Sequence, residues 1–379
     1  MPRKNEQELI ELVERGEIVG FTLDTTEFHH AGYNFQSRIL RALGQFARTD
    51  VALVFSEVVL SEVHTHLRDD VKAKSDQLRS ALRQIGKAAV VALEPAPAML
   101  GLGIPADPGA RATELIDGFI GEVKAERIPA DEGPTVRRLT DLYFSSLPPF
   151  SKKADKKSEF PDAIALLSLE HWAEEADGYV LAVSNDGDWS RFAEASPRVV
   201  CVPALAPALN AFNRDDAFVA ARIAANLTAG TATAIRAAVD RALEAAVEVF
   251  DVEASSQYHY DAEEGYATID GWEVADARFD VVDSDDAFVT LAFPISVKAT
   301  FETSFSFSMR DGIDRDYVSI GGTHASTTEE LDVQVVLTIA RDDDGDDPQV
   351  VALETDVPSL AVDFGYVEVD YGDDRGDDW

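Results

Sequence analysis

Between Val289 and Met309 apolar side chains recur at every second position. Val289, Leu291, Phe293, Ile295, Val297, Ala299, Phe301, Phe305, Phe307 and Met309 fall on one parity, and Thr290, Ser296, Lys298, Glu302, Ser304, Ser306 and Ser308 on the other. A helix cannot place such a set on one face, whereas a strand does so at every step. The pattern predicts an antiparallel sheet with one dry and one wet face. "LDVQVVLTIAR" and "SLAVDFGYVEVDY" extend it toward the C-terminus.

The first 210 residues read differently. Short apolar runs at 18–23, 51–55, 179–183 and 199–202 read as strands, separated by helical stretches. "SRILRALGQFA" is a short amphipathic helix. Val59, Val63, Leu67, Val71, Leu78, Leu82 and Ile85 mark a long helix by their spacing. Residues 111–128 and 134–147 read as helices, 94–110 as a Pro/Gly-rich loop, and Pro161 as the opening of a helix reaching Glu175. This is the rhythm of an α/β domain with a central parallel sheet flanked by helices.

Charge divides the chain in the same way. Residues 235–379 hold 8 Lys and Arg against 36 Asp and Glu, a net of -28 out of the chain's -37. The expected organisation is an α/β domain over 1–215, a helical linker over 216–264, an acidic α+β domain dominated by antiparallel sheet over 265–370, and a disordered acidic tail over 371–379. Such acidity disfavours non-specific nucleic-acid binding, which depends on Lys and Arg. A salt-adapted source is an equal explanation for it. The single cysteine, Cys201, excludes a disulfide framework and multi-thiolate zinc sites. No apolar run reaches the roughly 18 residues of a membrane span. The charged opening "MPRKNEQELIELVERGEIVG" does not read as a secretory signal. The expected location is the cytoplasm.

The acids of the first domain fall at telling places. Asp24 ends the first strand, and Asp186 and Asp188 follow the strand at 179–183 in "VSNDGDW". Asp162 sits in the first turn after Pro161, and Glu62 lies beside the apolar stripe of the long helix. Ligand sites of open parallel sheets lie outside the carboxyl ends of the strands. Each acid alone also fits a strand-end or helix-start cap. Together they form a candidate all-oxygen cation site, which favours Mg²⁺ or Mn²⁺ over zinc.

"LDTTEF", "VVLSEVHTHL", "EFPDAIALLSL" and "VSNDGDW" resemble the successive motifs of PIN-domain nucleases. The resemblance covers about residues 17–205 and suggests the larger branch with an additional C-terminal domain. It implies catalytic and metal-binding roles for Asp24, Glu62, Asp162 and Asp186, and Asp188 is added to the metal set. It also implies a Mg²⁺- or Mn²⁺-dependent endoribonuclease, a toxin of a toxin–antitoxin pair or a defence nuclease. Two departures stand out: Thr25 and Thr26 follow Asp24 where the family commonly has Asn, and the interval from Glu62 to Asp162 is long.

Lys152, Lys153, Lys156 and Lys157 just before Asp162, with Thr25, Ser184 and Asn185, are the candidate substrate contacts. His64 and His66, two apart on a helix, must point apart. The expected partners are an RNA substrate, with DNA open, and a protein or basic surface for the acidic domain. The competing reading is a non-catalytic RNA- or protein-binding module.

Overall fold

The computed structural model describes residues 6–87, 94–150, 159–263, 265–276, 278–310, 317–341, 348–357 and 360–370. The chain divides into two compact units, 1–212 and 213–379.

The first unit runs α1 (Glu6–Glu14), β1 (Ile18–Leu23), α2 (Thr25–His30), α3 (Arg38–Arg41) with a 3-10 turn over Ala42–Arg48, β2 (Ala52–Ser56) and α4 (Glu57–Lys87). It continues with α5 (Pro95–Gly101), α6 (Pro108–Val123), β3 (Glu126–Ile128), α7 (Val136–Ser145), α8 (Phe160–Glu175), β4 (Tyr179–Val183), α9 (Gly187–Ala195), β5 (Val199–Val202) and α10 (Leu205–Asn210). The five strands form one all-parallel sheet in the order β3-β2-β1-β4-β5. The chain moves outward from β1 to β3, then returns to the other side of β1. The reversal opens a crevice between the carboxyl ends of β1 and β4, where Leu23 lies in register with Val183.

Apolar content on every side drives α8 into the interior. Ala163, Ala165, Leu166, Leu167, Leu169 and Ala173 are all buried, and the helix lies against α4, β2, β3 and β4. Gly20 in β1 makes the close approach possible: a Cβ there would stand 2.4 Å from the Trp172 ring of α8. This packing carries the first turn of α8, with Asp162, onto the sheet.

Three local expectations need correction. The segment 94–110 is not wholly a loop. Pro95 and Pro97 sit in the first turn of α5, where no backbone N–H is needed, and Asp107 caps α6 by accepting from the amides of Gly109 and Ala110 at 2.9 and 3.1 Å. The helix expected over 111–128 stops at Val123, because Lys124 adopts a left-handed φ of 54°, and the chain then forms β3. The stripe of α4 is buried at Val59, Leu60, Val63 and Leu67, whereas Ile85 is exposed.

The second unit contains a 3-10 turn (Arg214–Asp216), α11 (Ala217–Ala229), α12 (Thr233–Val247), β6 (Asp251–Ser255), β7 (His259–Ala262), β8 (Tyr266–Val274), β9 (Asp280–Ser284), β10 (Phe288–Arg310), β11 (Tyr317–Ala340), β12 (Val350–Asp356) and β13 (Ala361–Tyr366). β10 pairs antiparallel with β11 along its length, and β9, β8 and β7 pair in turn along its other edge. Val289 to Val297 pack with Ile223, Leu227, Ile235, Val239 and Leu243 of α11 and α12. Phe301, Phe305 and Phe307 pack with Val362, Val367 and Val369 around the parallel β6–β13 pair. Met309 departs from the alternation: the register shifts between Phe307 and Ser308, and Met309 is exposed. The segment 216–264 is not a linker. Its two helices bury an apolar face in this unit's core, and β6 and β7 belong to its sheets. The tail 371–379 lies outside the described residues. Among the described residues no single helix is long and apolar enough to cross a membrane.

Gly20→Ala is expected to destabilise the chain by about 1–3 kcal/mol in denaturant melts, since the added methyl would force the Trp172 ring to shift from its place against β1. Gly118→Ala, in α6 with open space around it, is expected to stabilise by about 0.5–1 kcal/mol.

Candidate active site

The crevice between β1 and β4 gathers acids from four separated segments. Asp24 leaves β1 as the N-cap of α2 and is buried. Its carboxylate accepts from the amide of Thr25 at 2.6 Å, the hydroxyl of Thr26 at 2.9 Å and the hydroxyl of Ser184 at 2.7 Å. Its own amide donates to the carbonyl of Val183 at 3.0 Å, which ties the two strand ends together. Glu62 is half-buried on α4 and accepts from the Thr25 hydroxyl at 2.9 Å. Asp162, in the first turn of α8, accepts from the indole N–H of buried Trp189 at 3.0 Å. Asp186 caps α9 by accepting from the amide of Asp188 at 2.6 Å.

The electrostatics record how closely these groups crowd. Burial pushes the Asp162 carboxyl up to about 7, and repulsion from Asp24, Glu62 and Asp186 adds to it against the pull of the Trp189 hydrogen bond. Burial also raises Asp24, although hydrogen bonds from Ser184, Thr26 and Thr25 oppose it. Glu27, buried in α2, is lifted to about 7 by burial and by the Asp24 charge.

Three other buried acids among the described residues have arginine partners. Glu170 pairs with Arg138, Asp216 with Arg341 and Asp280 with Arg278. Among the described residues no Lys or Arg pairs with Asp24, Glu62, Asp162 or Asp186, and Glu27 meets only the exposed imidazole of His30 at 3.5 Å. A desolvated carboxylate cluster without a cation is costly. Its oxygen-only donor set suits a hard divalent ion. Among the described residues no group of three or more His, Cys, Asp or Glu side chains is placed so that it could hold a metal ion as it stands. The carboxylates are instead tied back to hydroxyls, amides and an indole, and Glu62, Asp162 and Asp186 each keep lone pairs free of those bonds.

The remaining candidates divide. Thr25 is half-buried and orients Glu62. Ser184, expected to touch substrate, is fully buried: its hydroxyl donates to Asp24 and accepts from the Asp186 amide at 3.0 Å, so it spaces the two acids. Asn185 is exposed at the strand exit. Asp188 pairs with Arg191, which offsets its charge. Lys152, Lys153, Lys156 and Lys157 lie outside the described residues. His64 and His66 do point apart: His64 meets the Gly109 carbonyl at 3.1 Å, and His66 faces Tyr33. Glu27, Thr26 and Trp189 complete the site without being candidates by residue pattern: Glu27 stands within "LDTTEF", three positions from Asp24.

The family model described as PIN domain matches residues 22–189, a span that includes all four acids. No curated protein and no solved structure gives a significant match.

With divalent cations removed, the melting temperature is expected to fall as pH rises from about 4 to about 7. Asp162 and Glu27 titrate from ordinary values of 3.8 and 4.5 in the unfolded chain and near 7 in the folded one. Across that window the folded chain holds more protons, so stability declines with pH. Asp162→Asn is expected to flatten the decline relative to wild type, and Mn²⁺ to reverse it in wild type, both read by thermal melts.

Proposed function

We propose, from the premise that the N-terminal unit is a PIN domain, that the chain is a divalent-cation-dependent endonuclease that hydrolyses RNA phosphodiester bonds. The carrying observation is the convergence of Asp24, Glu62, Asp162 and Asp186 in one crevice, with no basic partner among the described residues and close enough to help hold Asp162 near 7. The fold class is that of a nuclease domain, and such domains usually work with Mg²⁺ or Mn²⁺. Those four acids would hold the ion. When bound, it supplies Lewis-acid activation of water and neutralises charge on the leaving oxygen.

The chain's own residues prepare the site. The Ser184 and Thr26 hydroxyls both hold Oδ2 of Asp24, the Thr25 amide holds its Oδ1, and the Thr25 hydroxyl holds Glu62, so the carboxylates are oriented before any ligand arrives. Orientation of this kind is where a preorganised site gains most of its effect. Trp189 closes the side of Asp162 away from the crevice and limits its motion. Asp162 and Glu27 hold protons near neutrality in the ion-free protein, which relieves the repulsion until a cation takes over that role. The acidic second unit is proposed to meet a protein partner of basic character, in line with its net charge of -28. A cytoplasmic setting and a toxin or defence role belong to the same proposal.

Purified full-length protein is expected to cut RNA with Mn²⁺ or Mg²⁺ and to stop in EDTA. Asp24→Asn and Asp186→Asn are each expected to lower the rate at least about a hundredfold, the scale of losing one preorganised electrostatic group. Full activity in both folded variants would remove the proposal. RNA binding of unchanged strength in EDTA, with no cleavage under any divalent ion, would favour the binding-module reading.

A further inference from the structure

Beside the acid cluster lies a set of rings that the nuclease reading does not use. Glu62, His66 and Asp70 are spaced by four on α4 and so share one face of the helix. The Tyr33 ring lies nearly parallel to His66, with centroids 6.5 Å apart and planes at 19°. Burial, together with the Asp70 carboxylate on the same helix face, pushes the Tyr33 phenol up. His29 meets Tyr33 edge-on at 5.9 Å and 90°. His29 belongs to α2, the helix that Asp24 caps.

Three features separate these rings from ordinary packing. His29 and His66 are exposed and Tyr33 is half-buried, whereas neighbouring Phe28 and Phe35 fill the core. Among the described residues no hydrogen bond or ion pair engages the side chains of His29, Tyr33 or His66. Tyr33 also holds a left-handed φ of 54°, directly after Gly32 at 58°. That conformation is strained for a tyrosine, and here the ring lies against His66 of α4.

We infer that His29, Tyr33 and His66 form a stacking platform for the unpaired bases of a single-stranded nucleic acid, next to the phosphate that the acid cluster receives. The inference rests on the nuclease reading and names its substrate class. Every base has a π-face, and stacking on an aromatic ring needs no positive charge. That suits a chain of net charge -37, for which affinity through phosphate contacts is hard to build and is lost in salt. Bases of a duplex are already stacked on each other and cannot use such a surface.

The test is fluorescence anisotropy on the full chain with Ca²⁺ present, using a short labelled oligoadenylate RNA, the same strand with abasic residues, its DNA counterpart and the corresponding duplex. Wild type is expected to bind the base-bearing single strands about tenfold or more tighter than the abasic strand or the duplex, the scale of one or two stacked bases. Tyr33→Ala and His66→Ala are each expected to weaken binding to the base-bearing strand about tenfold and to leave the abasic strand unaffected, while Tyr33→Phe retains wild-type binding. Should Tyr33→Ala fail to fold, His66→Ala, at an exposed helical position, decides alone. Equal affinity for base-bearing and abasic strands, or unchanged binding in folded His66→Ala, overturns the platform. A parallel cleavage assay in Mn²⁺ keeps the two readings distinct. Base-dependent binding without cleavage upholds the platform and removes the nuclease, and cleavage indifferent to abasic substitution does the reverse.

Discussion

Carboxylates that share a desolvated crevice repel one another, and among the described residues no arginine relieves them. That single constraint organises the N-terminal unit around its sheet. Asp162 arrives on a helix that packs on the sheet because apolar residues are spread over nearly all its faces. The cost of bringing a charge there appears in its raised pKa of about 7. Where acids are buried for structural reasons, at Glu170, Asp216 and Asp280, each has its guanidinium. The acids of the crevice differ from those three in having no such partner among the described residues, and this contrast supports the proposal of a cation from solution.

The supporting groups show how such a site is kept in shape. A network runs from the Asp186 amide through the Ser184 hydroxyl to Asp24, and Asp24 also takes a backbone amide and the Thr26 hydroxyl. Hydrogen bonds to an ionised acceptor contribute about 1.5–3 kcal/mol each. They oppose burial at Asp24 and help keep it anionic, while Asp162, with one indole donor, moves to about 7. The two threonines that replace the family's usual residues after Asp24 reach two different acids, so the departure in sequence has a structural use.

Much of this architecture was legible because parallel strands are buried on both faces and read as short apolar runs. The polar residue that ends each run then marks the sheet edge, which is how Asp24 and Asp186 were found on one side. The long alternation of β10 was legible for the opposite reason: one dry and one wet face leave a period of two. What stayed hidden depended on partners far along the chain. Ser184 reads as an exposed strand-end hydroxyl until Asp24, 160 positions away, is set against it. Glu27 sits in a six-residue helix, too short to show any period. The alternation in "SLAVDFGYVEVDY" marks β13 as a strand, but it does not show that β13 pairs in parallel with the short, acidic β6. Pro95 and Pro97 read as loop residues, although the first turn of a helix accepts both.

The central claim is that a divalent ion takes the place of protons that the crowded acids otherwise retain. Calorimetric titration of Mn²⁺ into the full-length protein near pH 6.5, repeated in two buffers of different ionisation enthalpy, counts the protons released. Saturable binding with net proton release, reduced in Asp162→Asn, is the result this account requires. Either no saturable binding or binding without any proton release would contradict it.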